Sequence, residues 1–123
     1  MTTKEIAERL VALCRKGAFE AAHQELFSAG AVNIEPYASP GFPQETKGLA
    51  AILEKGRKFT ALIEQVHAIE ISDPLVATES FACTMRLDLT IKGHGRIKLL
   101  ELCAYDIKDG KIVCERFHER FPA

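Results

Sequence analysis

Apolar residues recur at a spacing of three to four along the first half of the chain and at a spacing of two along the second. Thr2 and Glu5 have the Ser/Thr-x-x-Glu form of a capping box, and Ile6, Leu10, Leu13 and Cys14 follow at helical spacing until Gly17. That pattern predicts a first helix. A second is predicted over 18–29, with Phe19, Ala22, Leu26 and Phe27 on one face and Gly30 as its stop. Residues 32–35 read as a short extended segment ending at Pro36, which lacks an amide donor and restricts Glu35 away from helical angles. Pro36, Pro40, Gly41 and Pro43 then predict a stiff loop over 36–45, whose Tyr37 and Phe42 can fold back as a lid. Leu49, Ile52, Leu53, Phe59, Leu62 and Ile63 predict a third helix over 46–63, in which Gly56 costs about 1 kcal/mol relative to Ala. Beyond it the alternation predicts four strands, 64–72, 75–91, 95–108 and 111–121, separated by Asp73-Pro74, Gly93-His94 and Asp109-Gly110. Helices first and hairpins second predict an α+β fold, with one face of a curved antiparallel meander covered by the helices.

At 123 residues the chain is the size of one domain, read as 1–123, and 47% hydrophobic against 27% charged residues is enough to fill a core without staples. Sixteen Lys and Arg stand against seventeen Asp and Glu, for a net charge of -1. That balance gives no basic surplus for nucleic acid or an anionic membrane, and it directs attention to small molecules and to copies of the chain itself. Charges within the first ten residues and the lack of an apolar run of about 20 residues make a cytoplasmic protein the expectation. Cys14, Cys83, Cys103 and Cys114 show no C-x-x-C pair and read as reduced, buried thiols, with no metal site expected.

The last hairpin decides which carboxylates share a face. A two-residue turn at Asp109-Gly110 pairs Lys108 with Lys111 and sets Glu101 opposite His118. A three-residue loop, with Gly110 in a bulge, pairs Ile107 with Lys111 and Glu101 with Phe117. The second register segregates the chain more sharply. One face collects Ile97, Leu99, Cys103, Tyr105, Ile107, Val113, Phe117 and Phe121; the other collects Arg96, Lys98, Asp106, Arg116, His118 and Arg120. A one-residue slip exchanges whole faces, so the bulged loop is preferred. The apolar face then also carries Glu101, Glu115 and Glu119, with Glu115 opposite Cys103 and about 7–8 Å from Glu101. Carboxylates facing a core are costly unless bonded, paired or protonated, so at least one pKa is expected to rise, as a general acid requires. Asp88 and Arg86 face the same way if Gly93-His94 is a two-residue turn and the other way if the loop holds three.

The order of these elements and the residues at their joints resemble the NTF2-like superfamily, and within it the SnoaL-like and ketosteroid-isomerase-like proteins. The likeness spans nearly the whole chain. It rests on the opening helices, on the run from Leu26 to Pro36 (LFSAGAVNIEP), on KGLAAI at 47–52 and on YDIKDGKI at 105–112. The resemblance implies an NTF2-like cone, three N-terminal helices on a curved antiparallel sheet, with a cavity between the layers and frequently a homodimer joined through the outer sheet face. Glu35-Pro36 stands where ketosteroid isomerases carry an Asp-Pro pair, which marks Glu35 as a base. Leu10 and Cys103 fall near the places of that family's oxyanion donors, so steroid isomerisation by that route is not expected. Glu101 and Glu115 are closer to the arrangement in SnoaL-like proteins.

The candidate catalytic residues are therefore Glu35, Glu101 and Glu115, with Tyr105, Phe117, Asp88 and His67 as candidate substrate contacts. His67 alternates with Ile69 and Ile71 and also fits a satisfied core or rim histidine, and His23 and His94 read as structural or solvated. Glu115-x-x-His118 has di-iron spacing, yet that spacing converges on a helix and diverges on a strand. No phosphate loop, nucleophile elbow or dinucleotide fingerprint occurs, and cofactor-free chemistry is the simplest expectation. Two functions stay open: a small enzyme moving protons by general acid/base catalysis on a small apolar or partly polar molecule, and a non-catalytic binding or adaptor domain.

Overall fold

The computed structural model describes residues 1–122, with side chains through residue 118. The first helix, α1 (Thr3–Arg15), starts at the capping box: the Glu5 amide donates to the Thr2 hydroxyl at 3.1 Å, and the Thr2 amide donates to the Glu5 carboxylate at 2.8 Å. Its inner face, Ile6, Ala7, Leu10, Val11, Leu13 and Cys14, is buried. The second helix, α2 (Phe19–Leu26), ends three residues short of the expected end at 29, and Phe27 already opens a strand, β1 (Phe27–Ile34). Helical spacing continues locally through Phe27, but a ladder to the C-terminal strand captures the segment, and tertiary pairing outweighs a weak propensity. Gly30 thus lies inside a strand rather than at a helix end. After a short β2 (Glu45–Lys47), α3 (Leu49–Leu62) begins at Gly48, whose φ of 93° suits a residue without a Cβ.

The strands that follow are β3 (Ile63–Ile71), β4 (Leu75–Val76), β5 (Ser80–Ile91), β6 (Gly95–Lys108) and β7 (Lys111–Pro122). The segment expected as one strand over 75–91 is therefore two. The sheet runs β2-β1-β7-β6-β5-β3, with β4 paired to β5. The expected meander holds for β3, β5, β6 and β7, but β1 joins β7 in parallel, so the sheet is mixed rather than wholly antiparallel. Three helices on this curved, unclosed sheet make an α+β cone. Its main core lies between α1, α2 and the inner sheet face, where Ile6, Leu10, Leu26, Cys103 and Ile112 are fully buried. Among the described residues no helix is long and apolar enough to cross a membrane.

The last hairpin corrects the expected register. Lys108 pairs with Lys111 across a two-residue turn, with Asp109 at φ 52° and Gly110 at φ 74°, so the preferred three-residue loop does not form. The register then slips after the Ile107–Ile112 pair, leaving Asp106 opposite Cys114, Tyr105 opposite Glu115 and Cys103 opposite Phe117. This bulge at Val113 restores the face assignment that the loop was expected to supply, because one extra residue reverses alternation. The two-residue turn also pairs Ile112 with Ile107, and both are buried in the core. Gly110→Ala should cost about 1–2 kcal/mol, since a Cβ in the left-handed region is strained; an unchanged midpoint in urea unfolding would contradict the turn.

Candidate active site

Between the helices and the inner sheet face lies a cavity of about 330 Å³, walled mainly by apolar side chains such as Leu10, Phe19, Ile52, Phe59 and Leu89. The loop over 36–44 covers one side with Tyr37, Ser39 and Phe42. It is folded back as expected. Ser39 and Phe42 exchange backbone hydrogen bonds, Lys58 donates to the Gly41 carbonyl at 2.7 Å and lies over the Phe42 ring, and Phe42 meets Phe59 edge to face.

Charged groups gather on one part of this apolar hollow. Glu35 sits just beyond the end of β1, where its amide bonds the Gln44 carbonyl at 2.7 Å, and its residue is only 6% exposed. From α3, the Lys55 ammonium reaches Glu35 Oε2 at 2.7 Å and also donates to Asn33 Oδ1. Asn33 shares the inward face of β1 and donates through Nδ2 to Glu115 Oε1 at 2.8 Å. His23 Nε2, from α2, meets the same Glu115 oxygen at 3.3 Å. A continuous chain therefore runs His23–Glu115–Asn33–Lys55–Glu35, and all five residues line the cavity.

Burial alone would push the Glu115 carboxyl up, but His23, Asn33 and the nearby Tyr105 hydroxyl together hold it below its ordinary value of 4.5. The expected rise is thus reversed at Glu115. His23 shows the complementary shift: burial works against its charge, yet Glu115 and the Phe19 backbone hold its pKa above 6.5. At neutral pH this is an anion clasped by donors, a poor general acid. Burial drives the Tyr105 hydroxyl well above its usual range, and its ring stacks on Phe81.

The structure brings Glu35, Glu101, Glu115, Tyr105 and Phe117 to one cavity. Glu101 is 4% exposed and opposes Met85 on β5 and Arg120 on β7, so neither Phe117 nor His118 is its partner. Since Glu115 opposes Tyr105 rather than Cys103, it stands four residues along β6 from Glu101, roughly 13 Å of extended chain, not the expected 7–8 Å. Asp88 and His67 do not join the site. Ile91 pairs with Gly95 across three residues, which turns Asp88 and Arg86 outward, and Asp88 is clasped by Arg96 through two bonds of 2.8 and 2.9 Å. His67 falls in an irregularity of the β3–β5 ladder and bonds the Thr90 hydroxyl at 2.6 Å on that same outer side. His118 is exposed, and the faces read for the Glu119, Arg120 and Phe121 side chains lie outside the described residues. Among the described residues, no three His, Cys, Asp or Glu side chains gather as metal ligands would.

Sequence reading missed His23, Asn33 and Lys55, although each left a signal. Lys55 interrupts the apolar stripe of α3 between Ile52 and Phe59, and His23 occupies the apolar stripe of α2 one turn after Phe19. Asn33 is two residues from Glu35, hence on the same side of an extended segment.

Comparison with solved structures returns the same architecture. A candidate SnoaL-like polyketide cyclase from Mesorhizobium loti is 28% identical, with a TM-score of 0.88 over 97% of this chain and 100% of that one. An NTF2-like protein of unknown function from Burkholderia pseudomallei is 12% identical, with a TM-score of 0.78 over 96% and 91% of the two chains. A protein with a ketosteroid isomerase-like fold from Catenulispora acidiphila, in complex with trimethylamine, is 18% identical, with a TM-score of 0.73 over 96% and 87%. Comparison with curated proteins gives no match. The SnoaL-like domain family model matches residues 1–119. With nearly its whole length matched by that model, the chain belongs to the SnoaL-like domain family.

Proposed function

We propose that this SnoaL-like domain binds a small, mostly apolar carbonyl compound and moves a proton at the carbon beside the carbonyl, without a cofactor. Glu35 is the base and Glu101 the group that returns the proton. The observation that carries this is the presence of two separate buried carboxylates, 6% and 4% exposed, in the wall of one cavity large enough for a small molecule. An apolar wall raises the reactivity of a carboxylate by keeping water from competing for it, and two such groups allow removal and return at different carbons. Glu115, tied by three neighbours, anchors the site rather than reacting. A neighbour of the same fold that holds trimethylamine supports occupancy by a small molecule.

The test is solvent-deuterium exchange, followed by proton NMR, into a panel of cyclic ketones and 1,3-dicarbonyl compounds first screened for binding. At least one bound compound should exchange at the carbon beside its carbonyl far faster than in buffer. If compounds bind in the cavity and none exchanges above buffer, the domain is a binding module and the proton-transfer assignment is wrong.

A further inference from the structure

We propose that Lys55 is a catalytic residue of this site, the cation that takes up the negative charge developing on the substrate oxygen as Glu35 removes the proton. This rests on Glu35 being the base. The other donors at the charged part of the cavity are neutral or turned to Glu115: Asn33 Nδ2 gives it one N–H, His23 Nε2 meets the same oxygen, and the Tyr105 hydroxyl lies beside the same carboxylate. Among the described residues the Lys55 ammonium bonds two acceptors, Asn33 and Glu35, and an ammonium carries three N–H donors. Its side chain is 16% exposed and lines the cavity, so a carbonyl oxygen can approach the third.

Charge conservation gives the pair its use. Before reaction the Lys55 ammonium faces the Glu35 carboxylate at 2.7 Å. In the step, the substrate C–H bond breaks, its proton forms an O–H bond on Glu35, and the electron pair moves through the new C=C bond onto the carbonyl oxygen. One negative charge leaves Glu35 and one appears on the substrate, so the ammonium loses an anion at the moment another forms next to it. In an apolar pocket a cation already in place stabilises that new charge more than water would, with little reorganisation. The substrate is then neutral in its ground state and anionic only in reaction, so the site should hold enolate-like anions once Glu35 is uncharged.

A nitrophenol probes this without turnover, because its anion mimics an enolate and absorbs visible light. Glu35→Gln imitates the protonated base. It should bind nitrophenolate about tenfold or more tighter than the unaltered protein, since a charge-assisted bond to an ammonium that faces no carboxylate is strong. Adding Lys55→Met should remove that gain, and Lys55→Arg should keep part of it. If Lys55→Met does not fold, the nitrogen-15 shift of the Lys55 ammonium in Glu35→Gln should move on adding nitrophenolate. Unchanged or weaker nitrophenolate binding in Glu35→Gln, a gain that survives Lys55→Met, or an unmoved ammonium signal would overturn the assignment. So would a borohydride-trapped adduct on Lys55, which would mark an imine instead. Deuterium exchange that depends on Glu35 but a probe indifferent to Lys55 removes only this inference; the reverse removes the proton-transfer function and with it the catalytic role, and leaves Lys55 as an anion-binding group.

Discussion

Glu115→Ala should destabilise the fold by about 3–5 kcal/mol, the usual cost of removing one partner from a buried ion pair. The loss is large because the Glu115 carboxylate, 4% exposed, is where three elements meet: His23 comes from α2, Asn33 from β1 and Tyr105 from β6. Without it a buried imidazole and a buried amide lose their acceptor, and a void opens beneath them. The pH dependence has a definite sign. Glu115 titrates below its ordinary 4.5 in the folded chain, so its contribution is present above that value and is lost as pH falls through the folded pKa. His23 titrates above its ordinary 6.5, so its contribution is present below that value and is lost as pH rises through the folded pKa. The pair therefore stabilises most between 4.5 and 6.5. Urea unfolding at a series of pH values should show stability falling on both sides of that window, and the His23 flank should disappear in Glu115→Gln, which keeps the volume and removes the charge. A Glu115→Ala variant within 1 kcal/mol of the parent would show that the anchor has been misread.

Glu35→Gln should lower the rate of deuterium exchange by about 10²–10⁴-fold, the range that a positioned general base supplies. The substitution conserves shape, and Lys55 keeps its bond to Asn33, so the fold and the apolar binding surface stay. Affinity for a neutral ketone should change little, which separates loss of the base from loss of the pocket. Glu35→Asp should fall between the two, since the carboxylate is kept but withdrawn by one methylene. Equal rates for Glu35→Gln and the parent would assign the base elsewhere, with Glu101 the next residue to replace.

The helices and the C-terminal hairpins were legible because their signals are local. The capping box at Thr2 and Glu5 and the stripe from Ile6 to Cys14 needed no partner to be recognised, and the alternation in β5 and β6 follows directly from a half-buried sheet. What the sequence concealed depends on pairing across long separations. Residues 27–29 were expected at the end of the second helix yet lie in β1, since β7, more than eighty residues later, pairs with that strand in parallel. The last hairpin combines a two-residue turn with a bulge, which gives the turn of one register and the faces of the other. That compound irregularity explains why Glu101 and Glu115 face inward as expected while standing farther apart than expected. Asp88 and His67 were lost to single-residue shifts of the same kind, one at the Gly93 loop and one in the β3–β5 ladder. Lys55, in contrast, is legible as a cation in an apolar stripe, and so is His23; what local spacing does not show is that these helical groups meet carboxylates of the strands.

The most direct test of the charge chain is a carbon-13 and nitrogen-15 NMR titration of Glu115 and His23 in the unaltered protein. The Glu115 carboxyl should titrate with its midpoint below 4.5, and the His23 ring with its midpoint above 6.5. A Glu115 carboxyl that takes up its proton above 4.5, or a His23 ring already neutral below 6.5, would contradict a buried anion held by its neighbours.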